Sequence, residues 1–465
     1  MPGRDYYPDG KEFTYGESWT RIEALRQQYA AAGFGHGHRV GLLLEQRPEF
    51  FFHYLALNGL GCGIVPINPD YRHDEMLYQM DHSEADVAIT LESRAEDLRR
   101  VAAERDKPLP VVRFEAFDDD LVSLGPAPID GPPGPGSEIS LLYTSGTTGR
   151  PKGCILSNEF YIQAGCWYLS MGGKLGFEAP ERIINPLPFF HVNAQAVCAT
   201  ALFLTGGCLI APDRFHPSTW WRDVVATNAT AMHYLGVVPP LLMNQPEVPE
   251  EKQHKLRFGT GAGLEPELHR PFEERFGFPL VEVWGMTETG RVFADCHEPR
   301  RVDTRAFGKP LENLEARVVD DDDNDVGADK DGELLVRYNG ETPRKHFFSG
   351  YLKNEEETEK SWRGGWFHTG DTVRQGADGM LYFVDRKKNI IRRSGENIAA
   401  AEIEACLQAH DDVAQLAVLP VGYEIRDEEG LARIVAMPDS PTDAAQARAL
   451  LTRRLEAQRH AHGPG

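Results

Sequence analysis

Apolar residues recur at helical spacing from Trp19 to Ala32, and the apolar run Arg39 to Leu44, RVGLLL, follows directly. A second helical stretch, Glu49 to Leu60, leads into Cys62 to Pro66, CGIVP. Such alternation predicts an α/β layer architecture with mainly parallel strands, since helical crossovers join parallel strands and cover both their faces. Gly125 to Ser137, GPAPIDGPPGPGS, is too rich in glycine and proline for regular structure and predicts a connector. It ends just before Ile139 to Tyr143, an apolar run that predicts a central strand, and alternation resumes through Met232 to Val238 and Leu280 to Trp284. The most lipid-like stretch, Ala194 to Ala211, is interrupted by Gln195, Thr200, Thr205 and the pair Gly206-Gly207. It predicts a buried helix, a glycine turn and a short strand, Cys208 to Ala211, in preference to a membrane span.

After Arg317 the pattern changes to short strands, Ala316 to Val319, Glu333 to Tyr338 and Met380 to Val384. The acid run Asp320 to Asp325 between the first two reads as a solvated hairpin tip, because its spacing does not match an EF-hand. A new unit starts near Lys387, with helical periodicity over Ile398 to Ala409, a strand over Ala414 to Pro420 and a further helix over Ala444 to Arg459. The expected organisation is a large N-terminal domain of layered helices and sheets, residues 1–386, and a small α/β lobe, residues 387–465.

Length agrees with this, since 465 residues at roughly 100–200 per domain allow one large domain and a small one. The charge balance narrows the partners. There are 49 basic against 71 acidic residues, a net charge of −22, so the global field repels nucleic acid and anionic membrane surfaces. An anionic ligand must then be held by a local cluster of donors. Seven scattered cysteines without a CxxC pair fit reduced thiols, and Met1 to Lys11 is polar and unlike a signal peptide. A cytoplasmic protein is expected, and a homodimer is compatible with the sequence.

The strongest chemical signal is Tyr143-Thr-Ser-Gly-Thr-Thr-Gly-Arg-Pro-Lys-Gly153. Directly after a strand it sets the hydroxyls of Thr144, Ser145, Thr147 and Thr148 around Gly146 and Gly149, with Lys152 three residues past the second glycine. Glycines let backbone N–H groups approach a polyphosphate, hydroxyls add donors and a lysine supplies a point charge. The spacing is not that of Walker A. An ordinary Ser/Thr/Gly loop does not require this density of phosphate-type donors.

This segment resembles the phosphate loop of the adenylate-forming (AMP-binding) superfamily, which includes acyl-CoA synthetases, firefly luciferase and peptide-synthetase adenylation domains. Further motifs follow in the family's order. Gly261-Ala262-Gly263 resembles its adenine-binding loop, and Trp284-Gly285-Met286-Thr287-Glu288 its aromatic-Gly-x-Thr-Glu motif. Gly365 to Asp371 resembles its Thr-Gly-Asp ribose motif, Asp385-Arg-Lys-Lys388 its hinge and Gly395-Glu-Asn397 the start of its C-terminal lobe. The resemblance covers nearly the whole chain. It implies the adenylate-forming enzyme fold and, within the acyl-CoA synthetase branch, is most similar to crotonobetaine/carnitine–CoA ligases. Phe190-His-Val-Asn193, Tyr382-Phe-Val-Asp-Arg386, Gly395-Glu-Asn397 and Ile425-Arg-Asp-Glu428 carry that finer likeness, whereas Gly259-Thr-Gly-Ala-Gly263 looks like a general acyl-CoA synthetase loop and not that subgroup's, which leaves the acyl group open.

The resemblance implies roles that each make chemical sense. Lys152 and Thr287 would meet the phosphates, Trp284 would stack on adenine, and Asp371, assisted by Arg386, would accept the ribose hydroxyls. Glu288 would ligate Mg²⁺, a hard cation suited to carboxylate oxygen. His191, in Pro188-Phe-Phe-His191, matches the family's gate beside the acyl pocket, with the acid entering near His191, Gly236 and Gly261. The implied reaction consumes ATP and a carboxylic acid to give acyl-AMP, from which coenzyme A displaces AMP. The basic set Arg386, Lys387, Lys388, Arg392 and Arg393 could attract coenzyme A phosphates or serve as a solvated hinge. Outside the resemblance, each of these residues has a plain structural reading: core packing for Trp284, a surface ion pair for Asp371 and Arg386, a satisfied core imidazole for His191.

Two departures stand out. Family members carry a Gly-Lys lysine near the C-terminus, absent before Gly465 here, and Phe13-Thr-Tyr-Gly-Glu17 matches a segment they precede with another strand and helix. Weakened adenylation is therefore an expectation. It leaves as alternatives a protein that binds nucleotide or acyl-adenylate with impaired catalysis, or an enzyme loading a carrier-protein thiol.

Overall fold

The computed structural model describes residues 12–144, 151–178, 180–290, 292–311, 313–386, 390–393, 396–399, 413–423 and 427–436. The chain divides into two compact units, Met1–Glu315 with Arg337–Phe367, and Ala316–Val336 with His368–Gly465.

The first unit contains two twisted sheets. Strands β1 (Arg39–Leu43), β2 (Gly63–Pro66), β3 (Val87–Thr90), β4 (Val111–Arg113) and β5 (Glu138–Thr144) are parallel neighbours in the order β5-β2-β1-β3-β4. Helices Pro48–Asn58, His73–Ser83 and Glu92–Glu104 make the crossovers. Beyond β5 the sheet turns antiparallel through β6 (Lys152–Ser157) and the two-residue strand Gly350–Tyr351. Gly125–Ser137 is irregular, as its composition requires, and β5 lies inside the sheet, as expected for Ile139 to Tyr143.

The second sheet holds β7 (Arg182–Ile184), β8 (Cys208–Ile210), β9 (Ala231–Leu235), β10 (Phe258–Ala262), β11 (Leu280–Gly285) and β12 (Val292–Ala294), in the order β12-β11-β10-β9-β7-β8. All are parallel except β12. Trp220, Trp221, Phe272, Phe276 and Phe278 bury one face against Met232 and Tyr234. The expected strand Met232 to Val238 ends early: Gly236 turns the chain, and Val238–Met243 is a helix with prolines in its first turn, where a missing N–H costs no intrahelical bond. The stretch Ala194 to Ala211 is helix, glycine turn and strand, as expected. Its helix is locally wide, a π-helix over Asn193–Ala199 that continues as α over Thr200–Thr205. No helix among the described residues is long and apolar enough to cross a membrane.

In the second unit, strands Leu381–Arg386, Phe367–Gln375, Asp331–Tyr338 and Leu314–Val319 lie in that order in one sheet. The Asp320 carboxylate accepts the N–H groups of Asp322 and Asn324 at 3.0 and 2.9 Å, so the acid run is a self-capped hairpin tip, as predicted. A second antiparallel sheet runs Glu396–Ala399, Ile390–Arg393, Asp427–Ala436, Val413–Tyr423. The strand expected over Ala414 to Pro420 is present. Ile398 and Ala399, expected to open a helix, instead pair with Ile391 and Ile390, a register that suits β-branched residues. The rest of that expected helix, and the one over Ala444 to Arg459, lie outside the described residues, as does the boundary at Lys387.

Candidate active site

The hairpin of β5 and β6 places Thr144 opposite Lys152, and Leu142 and Tyr351 on either side of Cys154. Of the expected phosphate loop, Thr144 and Lys152 are therefore the described ends. Ser145, Gly146, Thr147, Thr148 and Gly149 lie outside the described residues. Lys152 Nζ donates to Glu357 Oε1 at 2.5 Å and stands 4.9 Å from the centre of the Tyr351 ring. The hydroxyl of Tyr351 donates in turn to Glu288 Oε1 at 2.9 Å, and Phe348 N–H donates to the Glu288 carbonyl at 2.9 Å. Two motifs far apart in sequence thus meet in one cluster.

Glu288 sits in the turn after β11, which Thr289 closes by donating to the Met286 carbonyl at 3.1 Å. Only 5% of Glu288 is exposed. Burial is the main cause that pushes its carboxyl above the ordinary glutamate value, against the Tyr351 hydrogen bond and the Lys152 charge. Cys154, fully buried beside it, is likewise raised by burial and behaves as a packed thiol. Thr287 and Met286 are half-buried in the turn and Gly285 is exposed. Trp284 is buried and stacks on Phe293 at 5.4 Å, with Phe307 beyond. One of its faces is therefore already packed.

Gly261 and Ala262 end β10, opposite Tyr234 and Leu235 of β9. Gly263 follows with φ +84°, a left-handed conformation that glycine adopts freely, and a Cβ on Gly236 would collide with the Gly263 carbonyl. The loop is fixed from below by Glu282 of β11, whose carboxylate accepts the Tyr234 hydroxyl at 2.5 Å, Gly263 N–H at 3.0 Å and Leu264 N–H at 3.2 Å. Burial pushes that carboxyl up to about 7.

His191 lies at the surface end of the turn Pro188–Asn193, its ring 4.4 Å from Phe190; neighbouring protein desolvates it and lowers its pKa. The turn is anchored from within. Gln195 donates to the Phe189 carbonyl and accepts from Tyr161, and Asn193 accepts from His233 Nδ1 at 2.8 Å. Because the Asn193 oxygen can only accept, Nδ1 carries the proton and Nε2 accepts the Tyr168 hydroxyl at 3.1 Å, and burial pushes the His233 pKa down to about 3.

In the second unit Asp371 and Arg386 face each other across adjacent antiparallel strands, with Arg386 Nε 3.8 Å from Asp371 Oδ1. Asp371 is 8% exposed; the Arg386 side chain is 55% exposed. Thr369 accepts Asp371 N–H at 3.1 Å and donates to the Leu334 carbonyl at 2.7 Å, so the Thr-Gly-Asp turn is held by its own sheet. Arg392 and Arg393 lie on the strand Ile390–Arg393, whereas Lys387, Lys388 and Gly395 lie outside the described residues.

Comparison with known proteins decides among the folds that such a site could occupy. A family model described as AMP-binding enzyme matches residues 2–352. This chain belongs to the AMP-binding enzyme family. Its curated relatives include a sulfoacetate–CoA ligase of Cupriavidus necator, 31% identical over 96% of this chain and 87% of its own length. A crotonobetaine/carnitine–CoA ligase of Proteus mirabilis is 29% identical over 94% and 86%. These relatives put the chain in the acyl-CoA synthetase branch of the family. Among solved structures, ATP-bound MatB from Rhodopseudomonas palustris superposes with a TM-score of 0.78 at 25% identity, covering 96% of this chain and 88% of that one. The o-succinylbenzoate–CoA synthetase of Bacillus subtilis with its acyl-adenylate has a TM-score of 0.80 at 24% identity, covering 96% and 88%, and so shares the fold.

Within this AMP-binding enzyme, no group of three His, Cys, Asp or Glu residues among those described could hold a metal ion. A single buried carboxylate at Glu288 still suits Mg²⁺ bound mainly through substrate phosphates and water. Sequence reasoning did not single out Tyr351, Glu357, Glu282 or His233. Tyr351 and Glu357 lie just before the Thr-Gly-Asp motif, in GYLKNEEET, where the acid run reads as helix-start charge; Glu282 is a lone acid in an apolar strand.

Proposed function

We propose that this chain is an AMP-forming acid–CoA ligase that activates a short carboxylic acid bearing a second charged group, with sulfoacetate, crotonobetaine and carnitine as first candidates. The observation that carries the reading is the Lys152–Tyr351–Glu288 cluster, which joins the lysine after the phosphate loop to the carboxylate of the Thr-Glu motif. The two named relatives act on small acids carrying a sulfonate or a quaternary ammonium, which favours an acid of that size and polarity.

In this reading a carboxylate oxygen attacks the α-phosphorus of ATP, a P–O bond forms, and the bond to pyrophosphate breaks. Lys152 neutralises the negative charge that moves toward the departing phosphates, and Thr287 donates to the α-phosphate. Glu288 would hold Mg²⁺, which when bound would draw charge from the phosphate oxygens. Trp284 presents an edge or its remaining face to adenine, and the loop fixed by Glu282 positions the base. The Asp371 carboxylate accepts ribose hydroxyls. His191, on its anchored turn, borders the acid. In the second half the coenzyme A thiol gives its proton to solvent, its sulfur attacks the acyl carbon, the carbon–oxygen bond to the phosphate breaks and AMP leaves with that bond's electrons.

The test is pyrophosphate release from ATP and Mg²⁺ with each candidate acid, with and without coenzyme A. Acid-dependent pyrophosphate together with the acyl-CoA product supports the reading. Release that ignores coenzyme A while the acyl group moves to a carrier-protein thiol would replace it.

A further inference from the structure

The Lys152–Glu357 pair has an odd position for an ion pair of purely structural worth. It joins the lysine of a phosphate-binding loop to a carboxylate on another element, the helix Glu355–Ser361, and both side chains are mostly shielded, at 12% and 23% exposure. A polyphosphate reaching Lys152 meets the negative charge of Glu357 and competes with it for the ammonium, so the carboxylate opposes the incoming phosphates and drawing Lys152 to them weakens the existing pair. The displaced carboxylate has a second cation waiting. Lys360 Nζ stands 4.0 Å from the other oxygen, Oε2, one helical turn along. Asn354 caps the Glu357 N–H at 3.2 Å, so the backbone is fixed and the exchange needs only side-chain rotation.

We propose that Glu357 is a positioning residue for nucleotide exchange: it holds Lys152 in the nucleotide-free protein, yields it to the phosphates of ATP, and takes it back as pyrophosphate leaves. The inference rests on the reading of Lys152 as the phosphate ligand. Its consequence is that Glu357 weakens ATP binding and speeds pyrophosphate departure.

The experiment measures ATP and pyrophosphate affinity by calorimetry, in Mg²⁺, for the full chain and for Glu357→Gln, Glu357→Asp, Lys152→Ala and the Lys152→Ala/Glu357→Gln double variant. Glu357→Gln should bind both ligands tighter by on the order of tenfold, the worth of one charge-assisted hydrogen bond no longer broken. It should also lower kcat through retained pyrophosphate and leave KM for the acid unchanged. Glu357→Asp, which keeps the charge, should return affinities toward those of the parent. In the Lys152→Ala background Glu357→Gln should have no effect. Parent-like affinity in Glu357→Gln, or equal tightening with and without Lys152, overturns the proposal. If Lys152→Ala alone binds ATP as the parent does, the failure lies in the reading of Lys152 instead.

Discussion

The Tyr351 hydroxyl donates to Glu288 at 2.9 Å while its ring lies under the ammonium of Lys152. One aromatic side chain therefore ties the acid and the base of the site together, and it arrives on a two-residue strand added to the edge of the first sheet. The electrostatics of the pair follow. A buried carboxylate is costly unless paired or hydrogen-bonded, and Tyr351 and Lys152 supply both kinds of compensation.

Glu288→Gln keeps the shape and can still accept from Tyr351, but removes the charge. Pyrophosphate formation should fall by about two orders of magnitude or more, the size of losing an electrostatic group at the reaction centre. The folded state should be no less stable, because the desolvated charge is gone. Steady-state rates beside a thermal melt check both; a normal rate would remove Glu288 from the metal and phosphate chemistry.

Lys152→Ala should weaken ATP binding by about ten- to hundredfold, the range of a charge-assisted hydrogen bond. Calorimetry in Mg²⁺ reads it directly. Unchanged affinity would detach the loop from the phosphates.

Trp284 serves the core as well as the site, since it is buried and stacked on Phe293. Trp284→Ala should cost about 3–5 kcal/mol of stability, whereas Trp284→Phe should keep most of the fold and lose nucleotide affinity. Denaturant titration separates the two. An alanine variant as stable as the parent would contradict the packing described.

Asn193→Ala would leave the buried His233 Nδ1–H without its acceptor and should cost about 1–3 kcal/mol. It should also raise KM for the acid more than KM for ATP, because the turn that carries His191 loosens. Equal effects on both constants would detach His191 from the acid.

Much of this was legible in the chain itself. Gly125–Ser137 cannot be regular structure, the runs at Arg39 and Cys62 become parallel strands, and Thr144 and Lys152, which flank the Ser/Thr/Gly run, pair across β5 and β6. What escaped depends on distance. Nothing local distinguishes Glu357 from Glu355 and Glu356 at the start of the same helix, and only the fold brings it to Lys152. Glu282 is invisible for a related reason, since the groups that donate to its carboxylate come from β9 and the loop after β10. Ile398 and Ala399 read as the start of a helix because isolated periodicity cannot reveal a partner strand such as Ile390–Arg393.

Glu282 also makes a pH prediction. Its carboxyl is raised by burial to about 7, above the ordinary 4.5. Below that ordinary value folded and unfolded chains are both protonated, so the contribution of Glu282 to stability is fully present. It is lost as pH rises through about 7, on the order of 3 kcal/mol in all. Glu282→Gln should flatten the stability profile between about pH 5 and 8, as followed by chemical denaturation. A profile parallel to that of the parent would contradict the burial-driven shift.

The most direct test of the account is mass spectrometry of AMP and acyl-CoA after the chain is incubated with ATP, Mg²⁺, coenzyme A and a panel of acids including sulfoacetate, crotonobetaine, carnitine and short fatty acids. AMP and the matching acyl-CoA should form from at least one small charged acid, and both should fall by about two orders of magnitude or more in Glu288→Gln. Acid-dependent AMP no greater in the parent than in Lys152→Ala and Glu288→Gln, across the whole panel, would contradict it.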